Sequence, residues 1–142
     1  MLIEFNTEEF LKSVEEALEE EKKVLAINMQ KATTETLALA REKAPFDTGH
    51  MEEDSNTQVV IEDNFITGWI GFFAYYAIYV HQGTGLFALH GDGRQTPWWW
   101  RGTTEKWEGW HFTHGQKPKQ FLLDALIENS TKIPEMLGEN LC

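Results

Sequence analysis

The chain contains one cysteine, Cys142, so no internal disulfide can form, and such usage fits a reducing compartment. Long apolar runs are missing too: the most apolar window, residues 69–80, falls far short of the roughly 20 residues that a bilayer span requires. The opening residues, MLIEFNTEEF, show neither a basic region nor an apolar stretch of signal-peptide length, so neither export nor processing is expected. Cations are scarce, with 12 Lys and Arg against 23 Asp and Glu and a formal net charge of −11. Neutralising a nucleic-acid backbone takes clustered Lys and Arg, so this balance argues against general phosphate binding. Signatures of catalysis are lacking as well. Ser13, Ser55 and Ser130 stand in no nucleophile-elbow context, and neither Gly91–Gly93 nor Gly83–Gly85 has the spacing and following Lys of a phosphate loop.

A further absence organises the rest. From Asn64 to Gly91 there is no Asp, Glu, Lys or Arg, while Phe, Tyr, Trp and Ile are dense. A run of that kind stays soluble only where other parts of the chain, or a partner, cover it. At 142 residues the chain has the size of one domain with one core, which buries roughly two-thirds of the surface its unfolded form exposes. The expected organisation is a helix over residues 1–44, a sheet with a Trp-rich hairpin over 45–116, and a helical segment over 117–142.

Residues 6–44 read as one long helix. Asn6 is a good N-cap, Glu9 stands three residues on to close a capping box, and Phe5 and Phe10 suit a hydrophobic staple. Phe10, Val14, Leu18, Leu25, Met29, Ala32, Leu39 and Ala40 form an apolar stripe that thins around Glu21, where a bend can fall. Ala44-Pro45 ends the helix, because the residue before proline is pushed out of the α region. Uninterrupted, it spans about 57 Å, longer than so small a domain is wide, so part of it is expected to pack on a neighbouring subunit. Phe46–Gly49 is turn chemistry. The acids that follow read as a solvated edge, Thr57–Ile61 as a strand, and Glu62-Asp63-Asn64 as the turn into a second strand over 65–73. Ala74–Gln82 reads as a short helix with Gly83 as its C′ residue, Leu86–His90 as a short strand, and residues 96–101 and 106–114 as the arms of a hairpin. A last helix opens at Lys117-Pro118 with Phe121, Leu122, Ala125 and Leu126 as its buried face. Ile133-Pro134 breaks it before a short tail helix.

Two clusters invite a chemical reading. His111 and His114, with His90, raise the possibility of a metal-dependent enzyme completed by an acid from residues 47–63. Residues three apart on a strand point to opposite faces, however, and no third ligand is specified. The other cluster is the Trp loop. Trp98, Trp99, Trp100, Trp107 and Trp110 fall close together and are interleaved with Arg94, Arg101 and Lys106. Aromatics mixed with cations can stack bases or sugars, can anchor a protein interface, or can be plain core. Alternation puts Trp98 and Trp100 on one face of the arm and Trp99 on the other, so one face can pack while the other stays available.

Four segments in order, Asp47-Thr48-Gly49, Tyr79 to Gly85, Gly93 to Trp98 and Thr113 to Leu122, together resemble the neck and tail-completion proteins of tailed bacteriophages. The likeness spans most of residues 47–126, and the long leading helix agrees with it. His81-Gln82 before Gly83-Thr84-Gly85 departs from the usual pattern of that family, and the Trp cluster is heavier. The resemblance implies that Gly49, Gly83, Thr84, Gly85, Pro97, Gly115, Pro118, Phe121 and Leu122 are structural motif positions. It also implies a structural virion protein, without cofactor or catalysis, forming a ring of sixfold symmetry at the head-to-tail junction. The ring would contact a head-closure protein on one side and a tail terminator or tail-tube protein on the other, with double-stranded DNA passing unbound through the lumen. Assembly in the host cytoplasm follows. The expected fold is α+β: an antiparallel sheet with a projecting hairpin, flanked by the long N-terminal helix and a C-terminal helix. Trp98, Trp99, Trp100, Arg101, Trp107, Trp110 and Arg94 are the candidate interface. A small module that binds glycan or single-stranded nucleic acid through the same loop is the alternative.

Overall fold

The structure, a computed structural model, describes residues 1–4, 6–45 and 49–141. Helix α1, Glu8–Lys43, is continuous over 36 residues, without a break at Glu21. Thr7, not Asn6, is the N-cap, and its side chain makes no capping bond; one residue earlier, the Asn6 side chain accepts the Glu8 N–H at 2.8 Å. Among the described residues, the Glu9 carboxylate does not close a capping box. Phe5, the other half of the staple, lies outside the described residues, as do Phe46, Asp47 and Thr48. Ala44 turns to extended geometry before Pro45, and the helix stops there as expected.

The two halves of α1 differ in what they touch. Its second half buries Asn28, Ala32, Thr33, Thr36, Leu37 and Ala40. Against it run α4, Phe121–Asn129, and α5, Lys132–Leu137, which travel back along the helix. Lys43 pairs with Glu128, and that hydrogen-bonded carboxylate raises the Lys43 pKa above its ordinary value. Further along, the Asn129 amide donates to Thr36 Oγ1 at 3.3 Å, and the buried Asn28 amide donates to the carbonyls of Leu137 at 3.1 Å and Glu139 at 2.6 Å. On the N-terminal side of Asn28 the helix is only loosely flanked: Asp63, Asn64 and Leu141 line an open groove beside Leu18 and Leu25. Phe10, Val14 and Leu18, expected in the core stripe, are 67%, 38% and 58% exposed.

Strands β1, Ser55–Ile61, and β2, Ile66–Phe72, form the expected antiparallel hairpin, in register from Ser55 opposite Phe72 to Ile61 opposite Ile66. They lie on α1. Arg41 donates to Ser55 Oγ at 2.8 Å and to its carbonyl at 3.0 Å, and Gln30 donates to Thr57 at 3.1 Å. Ahead of β1 the acidic segment starts with a helical turn, α2, His50–Glu53, which sinks Met51 into the core. Helix α3, Ala77–Gln82, follows the hairpin. Ala44, Met51, Ala77 and Phe121 make the central cluster, with Phe72, Tyr76, Val80 and Leu122 partly buried around it. The Phe121 ring meets Phe72 edge-on at 4.9 Å.

Strands β3, Trp98–Gly102, and β4, Gly109–Thr113, form a second two-stranded sheet, so the α+β architecture holds two separate hairpins and not one continuous sheet. Leu86–His90 is not a strand. A 3-10 turn over Gly85–Phe87 occupies its start, and the N–H groups of Leu86, Phe87, Ala88 and Leu89 bond to His114, Thr84, Gly85 and Gln82 in place of a ladder. Helix α4 starts at Phe121, not at Pro118, because Lys119 N–H is drawn instead to the Val80 carbonyl at 2.9 Å. Leu126 points outward on α4, while Phe121 and Ala125 are buried.

Among the described residues, five of the eight buried hydrophobic ones are alanines: Ala32, Ala40, Ala44, Ala77 and Ala125. Much of the uncharged run stays uncovered by the rest of the chain, with Trp69, Phe73, Tyr75, Ile78 and Tyr79 exposed. The accessible surface is 10841 Å², whereas a compact chain of this mass exposes about 7,500 Å².

Asn28 is the polar anchor between the middle of α1 and the end of α5. Asn28→Ala should lower unfolding free energy by about 1–3 kcal/mol in urea titrations, since two carbonyls lose their donor. A loss below about 0.5 kcal/mol would mean that water replaces the amide.

Candidate functional site

Three chain segments meet where α3 ends. Thr84 N–H donates to the Gln116 carbonyl at 2.9 Å, Gln116 N–H donates to Thr84 Oγ1 at 2.9 Å, and Leu86 N–H donates to the His114 carbonyl at 3.0 Å. The backbones are too close for side chains. A Cβ on Gly85 would lie 2.1 Å from the His114 carbonyl oxygen, and one on Gly115 would lie 2.1 Å from that of Thr84. Both residues also have positive φ, +60° and +120°, where side chains are strained. Gly93 brings in the third segment, with its Cβ position 2.2 Å from the Gly85 oxygen. Gly83, Thr84, Gly85, Gly115 and Pro118 are thus brought together, since a Cβ on Gly83 would meet Gln116 O and Pro118 N at 2.9 Å. Just beyond, Phe121 is buried and Leu122 half-buried in the core cluster. Gly49 starts α2 with φ +83°, and Pro97 is exposed immediately before β3.

The Trp hairpin rises from this crossing, and its strands pair extensively only with each other. Trp99 stands opposite Phe112, Trp100 opposite His111 and Arg101 opposite Trp110. On one face the Trp100 ring stacks on His111 at 4.7 Å, Trp107 closes on both at 6.2 and 5.9 Å, and His111 Nε2 lies 2.9 Å from the Trp107 carbonyl. Trp107 folds back so closely that any Cβ on Gly102 would clash with its carbonyl, which makes glycine obligatory there. Trp98, half-buried, carries the Arg94 guanidinium 5.4 Å above its ring. The opposite face holds Trp99, Arg101, Trp110 and Phe112. Its aromatics are 64%, 65% and 52% exposed in the order Trp99, Trp110, Phe112, and Trp99 touches Phe112 at 5.2 Å.

The seven candidate interface residues therefore divide. Trp100 and Trp107 pack on each other and on His111 while staying partly exposed, Trp98 is half-buried beneath Arg94, and Trp99, Arg101 and Trp110 form the open face. Phe112 and Gly102 belong to this architecture although the sequence reading gave them no role. Cross-strand register is the signal that identifies Phe112, because it pairs with Trp99. His111 and His114 point to opposite faces: His111 lies against Trp100, His114 against the Phe112 ring at 5.3 Å. Among the described residues no group of three or more His, Cys, Asp or Glu is placed to hold a metal ion, and no helix is long and apolar enough to cross a membrane.

His81 links the crossing to α4. Its Nε2 accepts the Leu123 N–H at 3.4 Å in the first turn of α4, and its ring meets Phe121 at 5.3 Å. Burial pushes the His81 pKa below the ordinary imidazole value, with the Asp124 carboxylate pulling the other way. Protonation would remove the acceptor and set a cation at a helix N-terminus, which the helix dipole disfavours.

No protein-family model, curated protein or solved structure matches this chain.

Two expectations follow from this geometry. Gly115→Ala should detach the base of the hairpin and lower the melting temperature by several degrees, read as earlier loss of near-ultraviolet tryptophan ellipticity; an unchanged signal would show that the crossing can open without cost. For His81 the folded chain binds fewer protons than the unfolded one below about pH 6.5. Stability should therefore be full above that pH and decline as pH falls through the lowered folded pKa, and His81→Gln should flatten this part of the profile. A parallel decline in the variant would assign the effect to other groups.

Proposed function

We propose that this chain is a structural virion protein of a tailed bacteriophage, one subunit of a ring at the head-to-tail junction that joins the head connector to the tail. The carrying observation is surface left without cover. The chain exposes roughly 3,300 Å² more than a compact protein of its mass, within the range of about 2,000–5,000 Å² that obligate subunit interfaces bury. That surplus includes the first half of α1 and the open face of the Trp hairpin. A ring gives both a neighbour, because each subunit offers one surface and receives another.

The resemblance supports the specific assignment. Three of its four segments, those containing Gly83–Gly85, Gly93 and Gly115–Pro118, meet at one crossing, so the likeness falls on a single piece of architecture. Six copies form the ring in this reading, between a head-closure protein and a tail terminator or tail tube, after assembly in the host cytoplasm. The net charge of −11 suits a lumen through which DNA slides without sticking. One observation favours a second reading. Two exposed indoles beside the Arg101 guanidinium make a surface on which bases or sugars can stack, as in a small glycan or single-strand binding module.

Purified protein is expected to show rings by negative-stain microscopy and a mass several times the 16.4 kDa subunit by mass photometry. Monomers alone, both in isolation and with phage neck proteins, would refute the ring. Titration with oligosaccharides and oligonucleotides up to millimolar concentration should leave tryptophan fluorescence unchanged; saturable quenching would favour the binding module.

A further inference from the structure

The two uncovered surfaces are complementary. At 100° per residue, Phe10, Leu11, Val14 and Leu18 fall within about 100° of one another on α1 and make an apolar stripe. All four are exposed. Beside the stripe, an open groove of about 710 Å³ is lined by Leu18, Leu25 and Leu141 together with Glu15, Glu19, Glu21 and Asp63, and the one cation in its lining, Lys22, is already paired with Glu19, so the seat is partly apolar and carries net negative charge. The hairpin is the reverse. Residues 91–119 hold five of the chain's 12 Lys and Arg but three of its 23 acids. The Trp99, Trp110 and Phe112 face has Arg101 in its midst, and among the described residues Arg101 has no ion-pair partner.

We propose that the Trp99 face of the hairpin in one copy docks on the first half of α1 in the next, with Arg101 directed to the acidic groove. The occupant is a second copy of this chain. Charge opposition selects that pairing over hairpin on hairpin, which would set Arg101 against Arg101, and over stripe on stripe, which would bring Glu15 and Glu19 against their counterparts. Aromatic residues and Arg are also the side chains that anchor protein interfaces. Since donor and acceptor surfaces differ, the contact is heterologous and each copy retains one free donor and one free acceptor until the assembly closes. Only closure into a ring rests on the reading proposed above.

Complementation tests the pairing. One variant disables the donor (Trp99→Ser, Arg101→Glu, Trp110→Ser) and another the acceptor (Phe10→Ser, Glu15→Lys, Leu18→Ser). Every substituted side chain is exposed, and circular dichroism checks that both variants fold. Each variant alone should be monomeric by mass photometry, while an equimolar mixture forms dimers and nothing larger, because it contains one intact pair of surfaces. A donor-disabled variant that still assembles, or a mixture that stays monomeric, overturns the pairing. Rings that persist in both variants overturn it and leave the ring reading intact. Wild-type protein that forms open chains lost in both variants and rescued as dimers by mixing supports the pairing and overturns the ring.

Discussion

Backbone contact without side chains at Gly83–Gly85 and His114–Gln116 is the constraint on which the rest depends. Hydrogen bonds between Thr84 and Gln116, and between Leu86 and His114, form only because Gly85 and Gly115 allow the two backbones to touch. The crossing closes a loop of about 30 residues, and that loop is the Trp hairpin with its approach. It also settles what lies on either side. Lys119 is held to Val80, Phe121 enters the core, and His81 reaches the first turn of α4. A fixed base lets a two-stranded hairpin, marginal by itself, stand away from the domain with one aromatic face packed by Trp107 and the other open.

Along α1 the packing is small and polar. Asn28, Thr33 and Thr36 are buried where large apolar residues would ordinarily sit, and each finds a hydrogen-bond partner. Close approach of α4 and α5 follows, at the expense of apolar area withdrawn from water. The result is an alanine-rich core and a large residual surface.

Elements with strong local signals were legible. The long helix with its stop at Pro45, the β1–β2 hairpin, the short helix before Gly83, and the alternation of the Trp arm all follow from period and turn chemistry. The failures share a cause. Leu86–His90 has strand composition but spends its N–H groups on residues 82–85 and 114, and Phe10, Val14 and Leu18 have core periodicity yet stay exposed. Composition says what a residue can pair with, not whether a partner arrives.

For the site, the sequence by itself determined the inventory: five tryptophans among three cations, glycines where backbones must cross, and a period of two that separates Trp99 from Trp98 and Trp100. Only the tertiary structure decided the division of labour. Trp107 folding back over Gly102 assigns Trp100 and His111 to the hairpin's own packing, and cross-strand register adds Phe112 to the open face. Likewise, where the C-terminal helices run out near Asn28 decides which half of α1 is left uncovered. Side-chain alternation is a property of a few consecutive residues, so the chain carries it locally. Cover depends on segments a hundred residues apart and exists only once they have met.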